Sequence, residues 1–127
     1  MVPATLRLWF IVHFAIDVIF AIPLLLVPKL TLSIMGWTTV DPMTSRLVGA
    51  ALMGIGIESL LGCKATAEVF RAMLNLKIIW SLSAIFAISI TLFQGGPIMG
   101  WFFLIIFLGF CCLWIYYRVK ISNTVEQ

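Results

Sequence analysis

The chain has 127 residues, 63% of them hydrophobic and only 10% charged, with a mean hydropathy of +1.18. A water-soluble domain carries about a quarter charged residues, so this composition excludes an ordinary soluble fold. The net charge of +3, from 8 basic and 5 acidic residues, includes no dense basic run and gives no support to a nucleic-acid partner.

Four continuous apolar stretches, each near the roughly 20 residues that a helix needs to cross a bilayer, take up most of the length. Continuous runs, unlike alternating ones, point away from a membrane β-barrel. The expected architecture is all-α: one transmembrane domain, 1–127, built as an integral membrane four-helix bundle.

The first span covers about 5–26 and contains LRLWFIVHFAIDVIFAIPLLL. Pro23 falls near its end, where a kink costs least. Arg7 before an apolar run resembles a signal peptide, but Asp17 interrupts the run and no A-x-A site follows, so a retained helix is expected. Residues 28–37, PKLTLSIMGW, are too short to span. Pro28 and Gly36 bracket a short interfacial helix or turn, with Trp37 at the headgroups.

The second span, 42–62, has a helix start signal in Asp41-Pro42 and is expected to close through a left-handed turn at Gly62. Ala50 and Gly54 form a small-xxx-small pair that Glu58 continues, which predicts the packing face of a central helix. Residues 63–66 read as a short polar turn, and Glu68 suits the first turn of the third span, 67–93. Gln94-Gly95-Gly96-Pro97 is a tight turn by composition. The fourth span, 98–117, ends in Trp114, Tyr116 and Tyr117 followed by Arg118 and Lys120, an aromatic belt with basic anchors. The final ISNTVEQ is expected to be a frayed tail.

With four spans, Arg7, Lys64, Arg71, Arg118 and Lys120 share one side, against Lys29 and Arg46 on the other. That bias places both termini in the cytoplasm of a multi-pass protein of the inner cell membrane.

Ionisable residues at membrane depth are costly and therefore mark candidate sites. His13 and Asp17 lie four apart on one helix face. Asp17 is ~18 Å and Lys77 ~15 Å from the starts of parallel spans, so their depths match for an ion pair. Glu58 and Arg71, within about a turn of the cytoplasmic surface, suit a second pair. Arg71, Asn75, Lys77 and Ser81 fall within about 160° of arc at ~100° per residue, a polar face expected to turn inward. The expected ligand-binding set is His13, Asp17, Glu58, Asn75 and Lys77. Arg46 and Arg71 are assigned to the interface, where Arg46 snorkels or meets a lipid phosphate. A buried pair can also serve only to fix which helices are neighbours.

One histidine with scattered carboxylates is a poor metal set, and the spacing of Cys63, Cys111 and Cys112 suggests neither a metal site nor a disulfide-exchange centre. No phosphate-binding, dinucleotide or nucleophile-elbow motif is present in the sequence. Neither a metal nor a cofactor is expected, and no catalytic residue is assigned.

The segments AIPLLLVPKLTLSIMGW, DPMTSRLVGAALMGIGIESLL and NLKIIWSLSAI resemble the small DoxX-like four-helix membrane proteins. The resemblance spans the first three long helices and rests on their small-residue texture. It implies a four-helix membrane fold, in a group some of whose members are linked to quinone-associated sulfur redox chemistry. It carries no catalytic role onto any residue here. The leading expectation is a polar intramembrane site for a small molecule or ion, transporter-like as a homo-oligomer. A non-catalytic accessory subunit, docking partner membrane subunits through the fourth span, is the alternative. A membrane enzyme using His13 and Asp17 as an acid–base pair on a lipid-like or quinone substrate is a third.

Overall fold

The computed structural model describes residues 1–125. The described residues form five helices and no strand: α1 (Ala4–Leu26), α2 (Pro28–Ile34), α3 (Pro42–Gly62), α4 (Ala67–Phe93) and α5 (Met99–Val125). Helices α1, α3, α4 and α5 are long and apolar enough to cross a membrane, and α2 is the short helix expected between the first two.

The chain divides into two compact units, Pro3–Lys64 and the segment from Ala65 onward together with Met1–Val2. In the first, α1 packs along α3, with α2 touching both. The pairing is antiparallel: Arg7 meets Cys63, Asp17 meets Gly56, Ala21 meets Gly49 and Leu25 meets Arg46. In the second, α4 and α5 form another antiparallel hairpin, with Asn75 against Arg118, Lys77 against Trp114 and Leu92 against Gly100.

Local chemistry explains the helix ends. The carboxylate of Asp41 accepts from Met43 N–H at 3.1 Å, from Thr44 N–H at 3.4 Å and from the Thr44 hydroxyl, satisfying donors that the first turn of α3 would otherwise leave open. Those bonds hold the Asp41 carboxyl below its ordinary value, the Thr44 hydroxyl contributing most. Helix α2 ends at Gly36 (φ 95°), where Trp37 N–H reaches Leu32 O at 2.9 Å and Gly36 N–H reaches Ser33 O at 3.1 Å. Helix α4 ends the same way at Gly95 (φ 82°), with Gly96 N–H on Thr91 O at 2.9 Å and Gly95 N–H on Leu92 O at 3.1 Å. Both are Schellman closures that need the left-handed conformation glycine adopts without strain.

Three expectations are corrected. Gly62 makes no left-handed turn; it is the last residue of α3, and Cys63 follows with φ −63°. Arg7 supplies a donor to the Cys63 carbonyl at 2.8 Å, so that end is closed by a side chain. The buried line of α3 is Ser45, Gly49, Gly56 and Ser59, whereas Ala50 and Gly54 are exposed. Two small-residue lines run along this helix, and α1 occupies the one with the heptad-like spacing. Residues 118–125 are helical. No glycine or proline interrupts them, Ile121 is buried, and the Ser122 hydroxyl donates back to Arg118 O at 3.2 Å. The last two residues of the expected tail lie outside those described.

Candidate functional site

Along α1 the buried residues are Leu6, Phe10, His13, Asp17 and Ala21, recurring every three or four positions as one helix face requires. Two members of that otherwise apolar stripe are ionisable. His13 is 8% exposed and Asp17 5% exposed. Their four-residue spacing brings His13 Nδ1 to 2.9 Å from Asp17 Oδ2. The contact has ion-pair distance without hydrogen-bond alignment, because Asp17 Oδ2 is buried and receives no aligned donor.

Space for that carboxylate comes from α3. A Cβ on Gly56 would stand 2.8 Å from Asp17 Cβ and 3.5 Å from Asp17 Oδ2. Only a residue without a side chain allows α3 to lie this close to an aspartate on the facing helix. Glu58, two residues on, is half-buried in the same unit.

Both ends of this hairpin are held by arginines. Arg7, in the first turn of α1, donates through Nη1 to the Cys63 carbonyl at the end of α3. Arg46, in the first turns of α3, donates through Nε to Leu25 O at 3.0 Å near the end of α1. Each cation sits where a helix C-terminus exposes carbonyls and concentrates negative potential.

In the second unit Lys77 is 1% exposed, with its Nζ 5.4 Å from the ring centroid of buried Trp114. That is cation–π range, strengthened by exclusion from water. Asn75 is exposed and its Oδ1 accepts from Arg118 Nε at 2.8 Å. Ser81 is buried and Arg71 half-buried. The polar face expected on α4 thus does not turn inward as a whole. Arg71 and Asn75 form one i, i+4 line, Lys77 and Ser81 another, and the lines stand at opposite ends of an arc too wide for one buried face.

Of the predicted residues, the structure brings His13 together with Asp17. It gives Asn75 the partner Arg118 and Lys77 the partner Trp114. Asp17 and Glu58 belong to the first unit; Arg71, Asn75 and Lys77 belong to the second. Sequence reasoning missed Gly56 and Trp114 as members of these sites and took Arg118 only for an anchor. The spacing of Gly49 and Gly56, seven residues apart, was the available signal for the first. Among the described residues, no group of three or more His, Cys, Asp or Glu side chains is placed to hold a metal ion.

The His13–Asp17 pair has a definite chemical capacity. An imidazole and a carboxylate in contact can share or pass a proton, and the carboxylate can neutralise a cation. In a medium without water, either exchange has a large electrostatic consequence. Compared with known proteins, the chain matches no family model, no curated protein and no solved structure.

Proposed function

We propose that this chain is a multi-pass protein of the inner cell membrane whose His13–Asp17 pair binds a small cation or small cationic molecule within the bilayer. One observation supports the reading above the others: a 5%-exposed aspartate whose Oδ2 has no aligned donor, despite a histidine 2.9 Å away. A buried polar atom in that state carries a desolvation cost that a ligand can offset. Transport of the ligand requires a homo-oligomer, since a few helices rarely enclose a pathway. The likeness to the small DoxX-like proteins belongs to the same proposal, as a source of architecture and of no catalytic residue.

The test is a thermal-stability screen of the purified protein against Na⁺, K⁺ and small ammonium compounds. A ligand at 100 times its Kd stabilises by about 2.7 kcal/mol, which is readily measured. The expected result is a stabilising cation whose effect disappears in Asp17→Asn and weakens in His13→Gln, with both variants folded. Equal stabilisation of the wild type and Asp17→Asn by every effective cation would remove the pair from the binding site. So would the absence of any effective cation.

A further inference from the structure

At one end of the second unit, three polar side chains from two helices are linked. Arg118 on α5 gives its Nε–H to Asn75 Oδ1 on α4 and its Nη1 to the Ser122 hydroxyl. A guanidinium has five N–H donors, so among the described residues this arrangement leaves Nη2 to serve a further acceptor. Asn75 is one turn beyond Arg71, a spacing that puts their Cβ atoms about 5–6 Å apart. The two arginines are therefore within reach of one ligand. Arg71 Nε is buried and finds no acceptor. Neither arginine pairs with a carboxylate among the described residues, and Glu68, three positions before Arg71, is exposed. Two guanidinium groups, one bonded to Asn75 and one a turn before it with a buried donor unmet, suit an oxyanion.

Depth identifies its chemistry. The first 20 residues of α5, from Met99, extend about 30 Å, the thickness of the hydrocarbon core. Arg118 is the twentieth. Tyr116 and Tyr117, with rings 5.1 Å apart, and Lys120, 5.6 Å from the Tyr116 ring centroid, flank it as residues at a headgroup boundary do. Arg71 is the fifth residue of α4, about 6 Å from that helix's start.

We infer that Arg71 and Arg118, positioned by Asn75 and Ser122, form a binding site for a phosphate group at the membrane boundary. The planar, forked guanidinium matches phosphate oxygens two at a time, which a lysine does not. A lipid headgroup and free phosphate both present this chemistry. All four residues belong to the unit from Ala65 onward, and the inference does not rest on the reading of the His13–Asp17 pair.

The experiment is native mass spectrometry of the intact protein titrated with phosphatidylglycerol, with phosphatidylcholine as the neutral-headgroup comparison and inorganic phosphate as competitor. One phosphatidylglycerol should bind, with affinity reduced about tenfold in Arg71→Gln and in Arg118→Gln, the loss typical of a charged hydrogen bond. Lys120→Gln removes the same charge at the same end outside the site and should change affinity by less than about twofold. Arg71→Lys keeps the charge but loses the fork, and should bind weakly although folded. Displacement by millimolar inorganic phosphate assigns the site to the free anion, and retention of lipid assigns it to a headgroup. Unchanged affinity in both arginine variants would overturn the site. Equal losses in all three glutamine variants would also do so, by reducing the effect to general charge.

Discussion

Gly56 and Asp17 face each other across the α1–α3 contact so closely that a methyl group on Gly56 would stand 2.8 Å from Asp17 Cβ. The glycine and the buried carboxylate therefore form one structural unit, and substitution of either must disturb the other.

Gly56→Ala should lower stability by roughly 1–3 kcal/mol, the range for overpacking a close contact. Gly54→Ala provides the comparison, because nothing lies within 4 Å of a Cβ there. Unfolding titrations in mixed micelles should show a clear loss for the first and almost none for the second. Equal behaviour would mean that α1 and α3 do not meet along the Gly49–Gly56 line.

The terminal arginines should make separate contributions. Arg7→Gln and Arg46→Gln each remove a charged donor from a helix C-terminal carbonyl, at a cost of about 1 kcal/mol apiece. The sites lie at opposite ends of the hairpin, so the double variant should show the sum. Unfolding titrations of the two singles and the double measure this directly. A double variant no worse than either single would contradict two independent clamps.

Asp41 gives a pH dependence whose sign follows from its bonds. Its carboxyl is held below the ordinary aspartate value of 3.8, first by the Thr44 hydroxyl and then by Met43 N–H. The charged form therefore favours the folded start of α3. The stabilisation is complete above the unfolded-state value and fades as pH falls through the lower folded-state value. Amide exchange at Met43 and Thr44 should accelerate as pH drops below about 4, relative to interior α3 amides, and Asp41→Asn should flatten that response.

Topology is open to a reporter test. The basic-residue bias predicts that alkaline phosphatase fused after Thr39 is active, and that fusions after Lys64 or at the C-terminus are inactive. The reverse pattern would invert the orientation and place the Arg71–Arg118 end on the outer side.

The helices were legible because their signals are local. Asp41-Pro42, Gly36 and Gly95 each act through bonds within a few residues, so composition alone located those ends. Gly62 misled because its helix closes through Arg7, 56 positions before the Cys63 carbonyl it meets, and no local pattern records such a donor. The packing line of α3 was ambiguous for a related reason. Both Ala50–Gly54 and Gly49–Gly56 are lines of small residues, and only the facing helix decides between them. His13 and Asp17 were readable as a pair from their spacing. Arg118 as a partner of Asn75 was not, since 43 residues separate them.

The two arginine clamps have a consequence for alignment. Apolar side chains in lipid give little reason for one helix to stop at a particular height against another. Arg7 and Arg46 act some 27 Å apart along α1, and sliding α3 by a single turn of 5.4 Å would detach both at once. The hairpin therefore has a fixed vernier, and it is completed by residues that all lie within Pro3–Lys64. Asp17 stays opposite a glycine because two cations at the rims forbid any neighbouring setting.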